Sequence, residues 1–578
     1  MRSNTIKAFA ALCILCLVSM ITGCGGGGSS TTTSGTSNTG GQTVTTGSIA
    51  LKLTVANAKT VAKTVAASAL PAGVTTVRVS VTAPDILTTV QQDFAVATIV
   101  NDTVTITGVP FGTNRTVTVK GLDASGSETY QGTCSNITVT AGTTTNAGSV
   151  TLNTKSVSMN MAQTLSDQAQ NTTIAFSAMA MMTGNLGAQS FFPPGKIADY
   201  TGFQYLRDND PDNMGHNTSF LTRVAENVMY ILNDTQMAQL ATLAKSQDAD
   251  FKSYGAKRFP LMKAFRRLMD SDIPSGTTGL SLDAVKAASK ELYLIDGQVS
   301  YDRAVLYASV LNSLSTTQKA YLANMKGKGW KSWPDTSIDP IKSALDTRKQ
   351  ALGKDVDMVA IMTYASDLFS WYAGSIEADV YFCPERHGTY FGSFFMKDAP
   401  AIGHEGYSIN EQLTATAGRA LSDSTYGYVN STQAALMSSL VNTQRNNLYA
   451  NTATLSSGVQ NNIVAIRTKI ATLLRTLLTS TDTDGSIKAQ VLALSGTYGE
   501  LDGENNYNYA TVMANVYKTL TADQKTKLMA LRASIIKGTY ADGTSFDFTY
   551  TATPYLYSAV ISDATATGYI GSTDSLFK

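Results

Sequence analysis

The chain has 578 residues and a mass of 61.2 kDa, with 44 basic and 43 acidic side chains and a formal net charge of +1. Charged residues make up only 15%, against roughly 25% in typical soluble proteins. This balance excludes a general nucleic-acid binder, which needs a basic surface. Five cysteines and three histidines exclude a disulfide scaffold and leave little for a histidine-rich metal site.

Residues 1–24 predict a processing signal. Arg2 and Lys7 form a basic segment that precedes an apolar run at residues 8–20. This run is too short to span a bilayer comfortably. The run ends in Ile21-Thr22-Gly23-Cys24, which resembles the lipobox of bacterial lipoproteins. The resemblance implies that Cys24 is lipidated and that its acyl chains anchor the protein. Because no Asp follows the cysteine, it also implies an outer-membrane lipoprotein that faces the periplasm or the cell surface.

The next two segments predict a spacer. Residues 25–46 are rich in Gly, Ser and Thr and predict a flexible tether. In residues 47–153, apolar and polar side chains alternate, as at 77–81, 104–107 and 117–120, which predicts an all-β sandwich. The stretch 108–126 (GVPFGTNRTVTVKGLDASG) resembles immunoglobulin-like or carboxypeptidase-regulatory-like modules of extracellular bacterial proteins. The resemblance implies a spacer or adhesion module.

After residue 155 the apolar residues follow a helical period, and the sequence repeats itself. Five pairs of identical residues lie 190 positions apart: Phe192/Phe382, Pro194/Pro384, Tyr200/Tyr390, Gly202/Gly392 and Asp208/Asp398. Further matches, such as Asp296/Asp502 and Gly297/Gly503, lie 206 positions apart. We therefore predict two homologous helical halves, 156–340 and 341–540, and a tail at 541–578. The predicted fold class is multidomain α+β, with an all-β domain before a larger, internally duplicated all-α domain.

Four short motifs predict helix starts. Each has Ser, Thr or Asn three residues before Gln, at Asn233, Ser315, Asn430 and Thr521, which is the pattern of a capping box. With a preceding Leu, the motifs at Ser315 and Thr521 resemble the LTxxQ motif of the Spy-like periplasmic stress proteins, which are small helical chaperones. Plain helix capping is the alternative interpretation. The segments around 191–196 and 381–386 resemble uncharacterised bacterial lipoproteins, a likeness that implies no activity.

Polar residues around the repeated segments are candidate ligand-binding residues. Both halves retain cations, acids and a histidine: Lys196, Arg207, Asp208 and His216 in the first, Arg386, Lys397, Asp398 and His404 in the second. The cations could bind a small anionic ligand, and a protein client is the other candidate partner. The alternative is an ordered loop held by internal ion pairs. We expect a non-enzymatic binding role, no cofactor and no nucleic-acid partner.

An enzymatic alternative centres on the second half. Cys383 could act as a thiol nucleophile with His387 or His404 as its base, and His404 with Glu405 could contribute to a metal site. The first half has Pro193 where the second has Cys383, and no known motif or ligand spacing surrounds these residues. The alternative function is therefore a thiol- or metal-dependent enzyme.

Two charged clusters have both a functional and a structural interpretation. The acidic run 208–212 offers oxygen ligands for calcium, but it lacks the glycine and glutamate of an EF-hand, so turns are the favoured interpretation. A basic cluster at 257–267, with a counterpart at Arg467, Lys469 and Arg475, could meet an acidic partner or anionic lipid. We favour a solvated helix face for it.

Overall fold

The computed structural model describes residues 45–55, 70, 74–83, 85–86, 90–122, 128–154, 165–191, 197, 200–212, 218–354, 356–381, 390–398, 411–540, 543–549, 568 and 571–578. The chain divides into two compact units between residues 162 and 163. The first unit is rich in β-strands and the second, larger unit is mainly helical. The predicted order, a β-rich part before a larger helical part, is therefore confirmed.

The described residues of the first unit contain seven strands: β1 Thr46–Val55, β2 Thr76–Thr82, β3 Val90–Ala95, β4 Thr103–Pro110, β5 Gly112–Leu122, β6 Glu128–Val139 and β7 Thr144–Thr154. Their order is β3-β2-β5-β6-β7-β1-β4. Neighbouring strands are antiparallel except β1 and β7, which are parallel. The alternation predicted at 77–81 is confirmed, since Val77, Val79 and Val81 are fully buried between less buried polar residues. Inward side chains of β1, β2 and β4–β7 form one hydrophobic core.

Sixteen named helices build most of the described part of the second unit. They are α1 Asp167–Thr183, α2 Leu186–Ser190, α3 Phe203–Asp208, α4 Thr218–Ile231, α5 Asp234–Asp270, α6 Leu282–Ser313, α7 Thr316–Met325, α8 Ile341–Ala351, α9 Met358–Ala373, α10 Ile376–Val380, α11 Ser393–Asp398, α12 Glu411–Ser422, α13 Ser431–Arg445, α14 Ile463–Thr476, α15 Ser486–Thr519 and α16 Ala522–Ile536. A hairpin of β8 Lys537–Thr539 and β9 Ser545–Asp547 follows α16.

All four predicted capping boxes are confirmed. In each, the cap side chain accepts a hydrogen bond from the backbone N–H of the glutamine, and the glutamine side chain accepts one from the backbone N–H of the cap. These boxes begin α5, α7, α13 and α16. They satisfy backbone N–H groups that have no partner inside the helix.

Two segments have the same backbone geometry 190 positions apart. Gly184 (φ −88°, ψ −170°) caps the end of α1, and Gly374 (φ −88°, ψ −168°) caps the end of α9. A five-residue helix follows each, α2 and α10. Gly202 (φ +74°) and Gly392 (φ +77°) then lie just before the six-residue helices α3 and α11. Both glycines have the left-handed conformation that other residues adopt only at a cost.

Helices α1 and α9 are the central helices of two bundles. Residues 173–183 of α1 and 364–371 of α9 are buried without interruption, which requires neighbours on every side. α1 packs against α11, α12, α13, α15 and α16, whereas α9 packs against α3, α4, α5, α6 and α7. Each central helix therefore lies among helices from the other part of the sequence.

The long helices α6 and α15 run antiparallel and join the two bundles. A Cβ atom on Gly503 would lie 2.7 Å from the Cβ of Ser289, and one on Gly297 would lie 2.6 Å from the Oγ of Ser495. Because these contacts leave no room for a methyl group, the two glycines allow the helix backbones to approach closely.

Residues 571–578 pack against the connection between α5 and α6. The side chains of Leu576 and Phe577 are buried, and backbone hydrogen bonds join residues 576–578 to residues 278–281. Arg267 donates a 2.7 Å hydrogen bond to the carboxylate of Asp574, and its guanidinium lies over the ring of Phe577. The last part of the predicted tail is thus attached to a helix pair from the first half of the sequence.

Candidate functional site

Most sequence-predicted site residues lie outside the described residues: Cys24, Lys196, His216, Cys383, Arg386, His387, His404 and Glu405. The lipidation, thiol and metal hypotheses that rest on them stay predictions. In the described part of the chain, no three His, Cys, Asp or Glu side chains are grouped so that they could hold a metal ion.

The structure describes the side chains of three predicted ligand-binding residues, Arg207, Asp208 and Lys397. Arg207 is buried in α3, where its Nε donates a 3.2 Å hydrogen bond to Asp208 and its Nη2 donates to Gln204. Lys397, at the corresponding position of α11, is also buried. Asp398 is the last residue of α11. The burial of both cations agrees with the alternative in which internal polar contacts order these segments.

The acidic run 208–212 has a structural role. Asp210 accepts a 3.0 Å hydrogen bond from the backbone N–H of Trp330, and Asp212 accepts a 2.8 Å hydrogen bond from that of Lys331. The two carboxylates thus anchor the turn that precedes α8. This geometry supports the favoured turn interpretation over a calcium loop.

Two arginines of the predicted basic cluster are buried, so the prediction of a solvated face is wrong for them. Arg258 and Arg467 are each only 1% exposed. Arg258 donates to the carbonyl group of Gln189, and Arg467 donates to those of Asp379 and Tyr381 at 3.2 Å. Burial lowers the pKa of Arg258 to about 10, which still leaves it charged at neutral pH. Each guanidinium thus binds carbonyl groups at the end of a short helix, where helix geometry leaves them without partners.

A buried carboxyl group distinguishes α10 from α2. Both oxygens of Asp379 accept hydrogen bonds from Arg475, whereas the corresponding residue of α2 is Gln189. Burial raises the pKa of Asp379 to about 6, against the opposing effect of Arg475. The carboxylate therefore holds α10 to α14 as part of a buried ion pair.

Another buried polar cluster attaches α9 to α5 and α6. Asp367 forms a 3.2 Å ion pair with Arg303 and accepts a 3.1 Å hydrogen bond from Tyr307. Tyr364 donates a 2.9 Å hydrogen bond to Gln247. Burial and the nearby carboxylate raise the pKa of Tyr307 well above its usual value, so this hydroxyl stays protonated as a donor. The cluster contributes internal contacts between helices.

The first unit has an open depression beside a buried arginine. Arg115 donates to both oxygens of Asp85 and to the carbonyl groups of Pro110, Phe111 and Thr113. These contacts engage all three guanidinium nitrogens, so the arginine fixes the β4–β5 turn. The depression that contains this turn also includes Thr45 and Asn114.

The second unit has an open depression beside α16 that sequence reasoning missed. It is lined by Tyr426, Gly427, Tyr428, Lys527, Ala530, Leu531 and Ser534. The last four recur at i, i+3, i+4 and i+7, which places them on one face of α16. Tyr426 is 52% exposed, and Leu531 of α16 is partly exposed. The Tyr-Gly-Tyr sequence is visible in the chain, but its exposure is set by packing.

Comparison with protein-family models, curated proteins and solved structures finds no match to this chain. Within the described residues, no helix is long and apolar enough to cross a membrane. A functional proposal therefore depends on the surface and on the internal contacts described above.

Proposed function

We propose that this chain is a cell-envelope lipoprotein whose helical unit binds a protein client without catalysing a reaction. The observation that carries the proposal is the depression between the Tyr426 turn and α16. It combines exposed tyrosine and aliphatic side chains, and its one lining cation, Lys527, forms a 2.8 Å ion pair with Asp523. Aromatic side chains, tyrosine among them, are enriched at protein–protein interfaces.

An extended apolar polypeptide segment fits this surface better than a small anionic ligand does. Small-molecule sites usually enclose most of their ligand, whereas this depression is open to solvent. Tyrosines contribute large contact areas at interfaces together with a hydroxyl that can hydrogen-bond. In addition, the described cations Arg207 and Lys397 are buried and are not on an open face.

We also propose that the helical unit arose by internal duplication. The repeated backbone geometry at Gly184 and Gly374, together with the paired capping boxes, supports this origin. So does the matching order of helices around α1 and α9. The exposed depression lies beside residues 423–429, between α12 and α13, whereas α4 and α5 follow each other almost directly.

The amino-terminal part would then serve as an anchor and spacer. We propose lipidation at Cys24, an outer-membrane location, a tether at 25–46 and an immunoglobulin-like module at 47–153. Replacing Cys24 with Ser should move the protein from the membrane fraction to the soluble fraction. Mass spectrometry of the amino-terminal peptide would detect the acyl chains directly. An unlipidated peptide that starts elsewhere would contradict the proposed anchor.

The client proposal is tested with a chemically unfolded model protein and the purified full chain. We expect the chain to reduce aggregation of the model protein, measured by light scattering, and the double substitution Tyr426→Ala and Leu531→Ala, at two residues that line the depression, to weaken this effect about tenfold. Ile338→Ala is a matched control, since Ile338 is 58% exposed but does not line the depression. Equal activity of the double variant and the control would contradict this surface as the client site.

A further inference from the structure

We propose that the helical unit is an interlocked pair in which residues 163–353 and 354–578 each supply the central helix of the other's bundle. The two segments are therefore obligate binding partners. Each segment forms a groove that is filled by the central helix of the other segment. This inference rests on internal contacts and holds whether or not the unit binds a client.

The groove that receives α1 consists of helices from residues 393–536. Its contacts with α1 are specific as well as apolar. Ser438 of α13 donates a 3.0 Å hydrogen bond to Asn171, and Gln444 of α13 donates a 3.0 Å hydrogen bond to Gln170. The pair of glutamines is buried, so each side chain would lose one of its hydrogen bonds if α1 left the groove.

Gly418 of α12 lies against the backbone of α1. A Cβ atom on Gly418 would lie 2.4 Å from Cγ2 of Thr172 and 2.5 Å from its carbonyl oxygen. Because one of these neighbours is backbone, the contact cannot be relieved by a side-chain rotation alone. The groove is thus shaped for α1 at the level of the backbone.

The groove that receives α9 consists of helices from residues 203–325. Here Asp367 pairs with Arg303, and Tyr372 donates a 3.1 Å hydrogen bond to the carbonyl group of Lys319 in α7. Removing α9 would leave the Arg303 guanidinium buried without this carboxylate, which is strongly destabilising. Each bundle therefore needs a helix that the other segment carries.

The covalent connection between the two segments is accessible. Gly353 is exposed, has a φ of +84° and lies between α8 and α9. A protease recognition sequence inserted after Gly353 would allow the intact, folded chain to be cut at this point. We expect both fragments to co-elute in size-exclusion chromatography at the volume of the uncut protein and to retain its helical circular dichroism.

The fragments should separate only when urea unfolds the bundles. After separation, each fragment refolded alone should lack a cooperative thermal transition in its helical circular dichroism signal, and mixing the two should restore it. Fragments that elute apart in native buffer, or a single fragment whose helical circular dichroism is lost cooperatively at the temperature of the uncut protein, would overturn the proposal.

A matched pair of substitutions tests the α1 groove in the cut protein. Gly418→Ala should lower the urea concentration at which the fragments separate, because its methyl group meets Thr172. Gly255→Ala in α5 should not lower it, since no atom lies within 4 Å of the Cβ position there. If Gly418→Ala prevents folding, Asn171→Ala provides a milder test and should also lower the separation midpoint. An unchanged midpoint for the variants on the α1 contact would contradict the inferred groove.

Discussion

The Nε2 of Gln318 donates a 2.8 Å hydrogen bond to the Oε1 of Gln236, which joins the capping boxes that begin α7 and α5. The same nitrogen donates a 2.7 Å hydrogen bond to the carbonyl group of Ile231, at the end of α4. Gln524 and Gln433 form the equivalent 2.9 Å contact between α16 and α13. A glutamine that caps its own helix thus also forms a tertiary hydrogen bond to the capping box of a helix earlier in the chain.

Replacing Gln318 with Ala should destabilise the unit by about 2 kcal/mol, since a cap and partly buried hydrogen bonds are each worth about 1 kcal/mol. Urea unfolding followed by circular dichroism measures this change. Thr317→Ala, an exposed position in the same turn, should change the free energy of unfolding by less than about 0.5 kcal/mol. If the two variants have the same free energy of unfolding, the hydrogen bonds between the two capping boxes do not contribute to stability.

Replacing Gly499 with Ala should destabilise the α6–α15 packing, although alanine is the better helix former by about 1 kcal/mol. The new Cβ would lie 2.7 Å from the Cβ of Tyr293 and 2.8 Å from the carbonyl oxygen of Ser289. Gly255→Ala has the same propensity gain without a clash and should stabilise the chain. Thermal unfolding of both variants separates the two effects, and a stabilised Gly499→Ala would contradict the close approach of these helices.

Asp379 should make the stability of the unit depend on pH. In the native state the pKa of Asp379 is about 6, whereas an aspartate exposed in the unfolded chain has a pKa of about 3.8. The native state thus binds more protons between these values, and stability falls as pH rises from about 4 to about 6. This difference corresponds to at most about 3 kcal/mol.

The substitution Asp379→Asn should remove this component of the pH dependence. Urea unfolding at several pH values from 4 to 7 measures the difference between variant and parent. Asp346→Asn is a control in an exposed ion pair of α8, and it should keep the fall in stability between pH 4 and 6. An Asp379→Asn variant with the parent's pH profile would show that the group does not titrate in this range.

Replacing Arg267 with Ala should release residues 571–578 from the α5–α6 connection. The substitution removes the ion pair with Asp574, the hydrogen bond to Thr573 and the contact with the ring of Phe577. Limited proteolysis should then cleave this segment several-fold faster than in the parent. Lys252→Ala, in an exposed pair on the same helix, should leave the cleavage rate unchanged, and equal rates for both variants would contradict the role of Arg267.

Local patterns were sufficient to predict the elements but not their partners. The spacing from Asn233 to Gln236 predicts a helix start because both groups of a capping box lie within one turn. The alternation at 77–81 predicts a buried face because successive strand side chains point to opposite sides. Neither pattern contains information about the contact between Gln318 and Gln236, which are far apart in the sequence.

The charge pattern of the sequence predicts burial less well than its apolar pattern does. The basic cluster at 257–267 suggested a solvated face, yet Arg258 lies in the interior beside the carbonyl groups that end α2. A sequence shows that a side chain is cationic but not whether a distant helix end supplies its acceptors. For the same reason, the exposure of Tyr426 and the open depression beside it could not be predicted.

The sequence by itself determined the β-rich part, the larger helical part and the four capped helix starts, because short-range hydrogen bonding and periodic burial control each of them. Only the tertiary structure decided that α1 and α9 occupy each other's bundles. Both helices are apolar enough to be buried, and apolar burial is not directional, so the sequence specified burial without specifying the groove. The groove that each helix occupies is instead specified by close backbone contacts, such as that of Gly418 with Thr172, and by paired polar groups, such as Asp367 with Arg303.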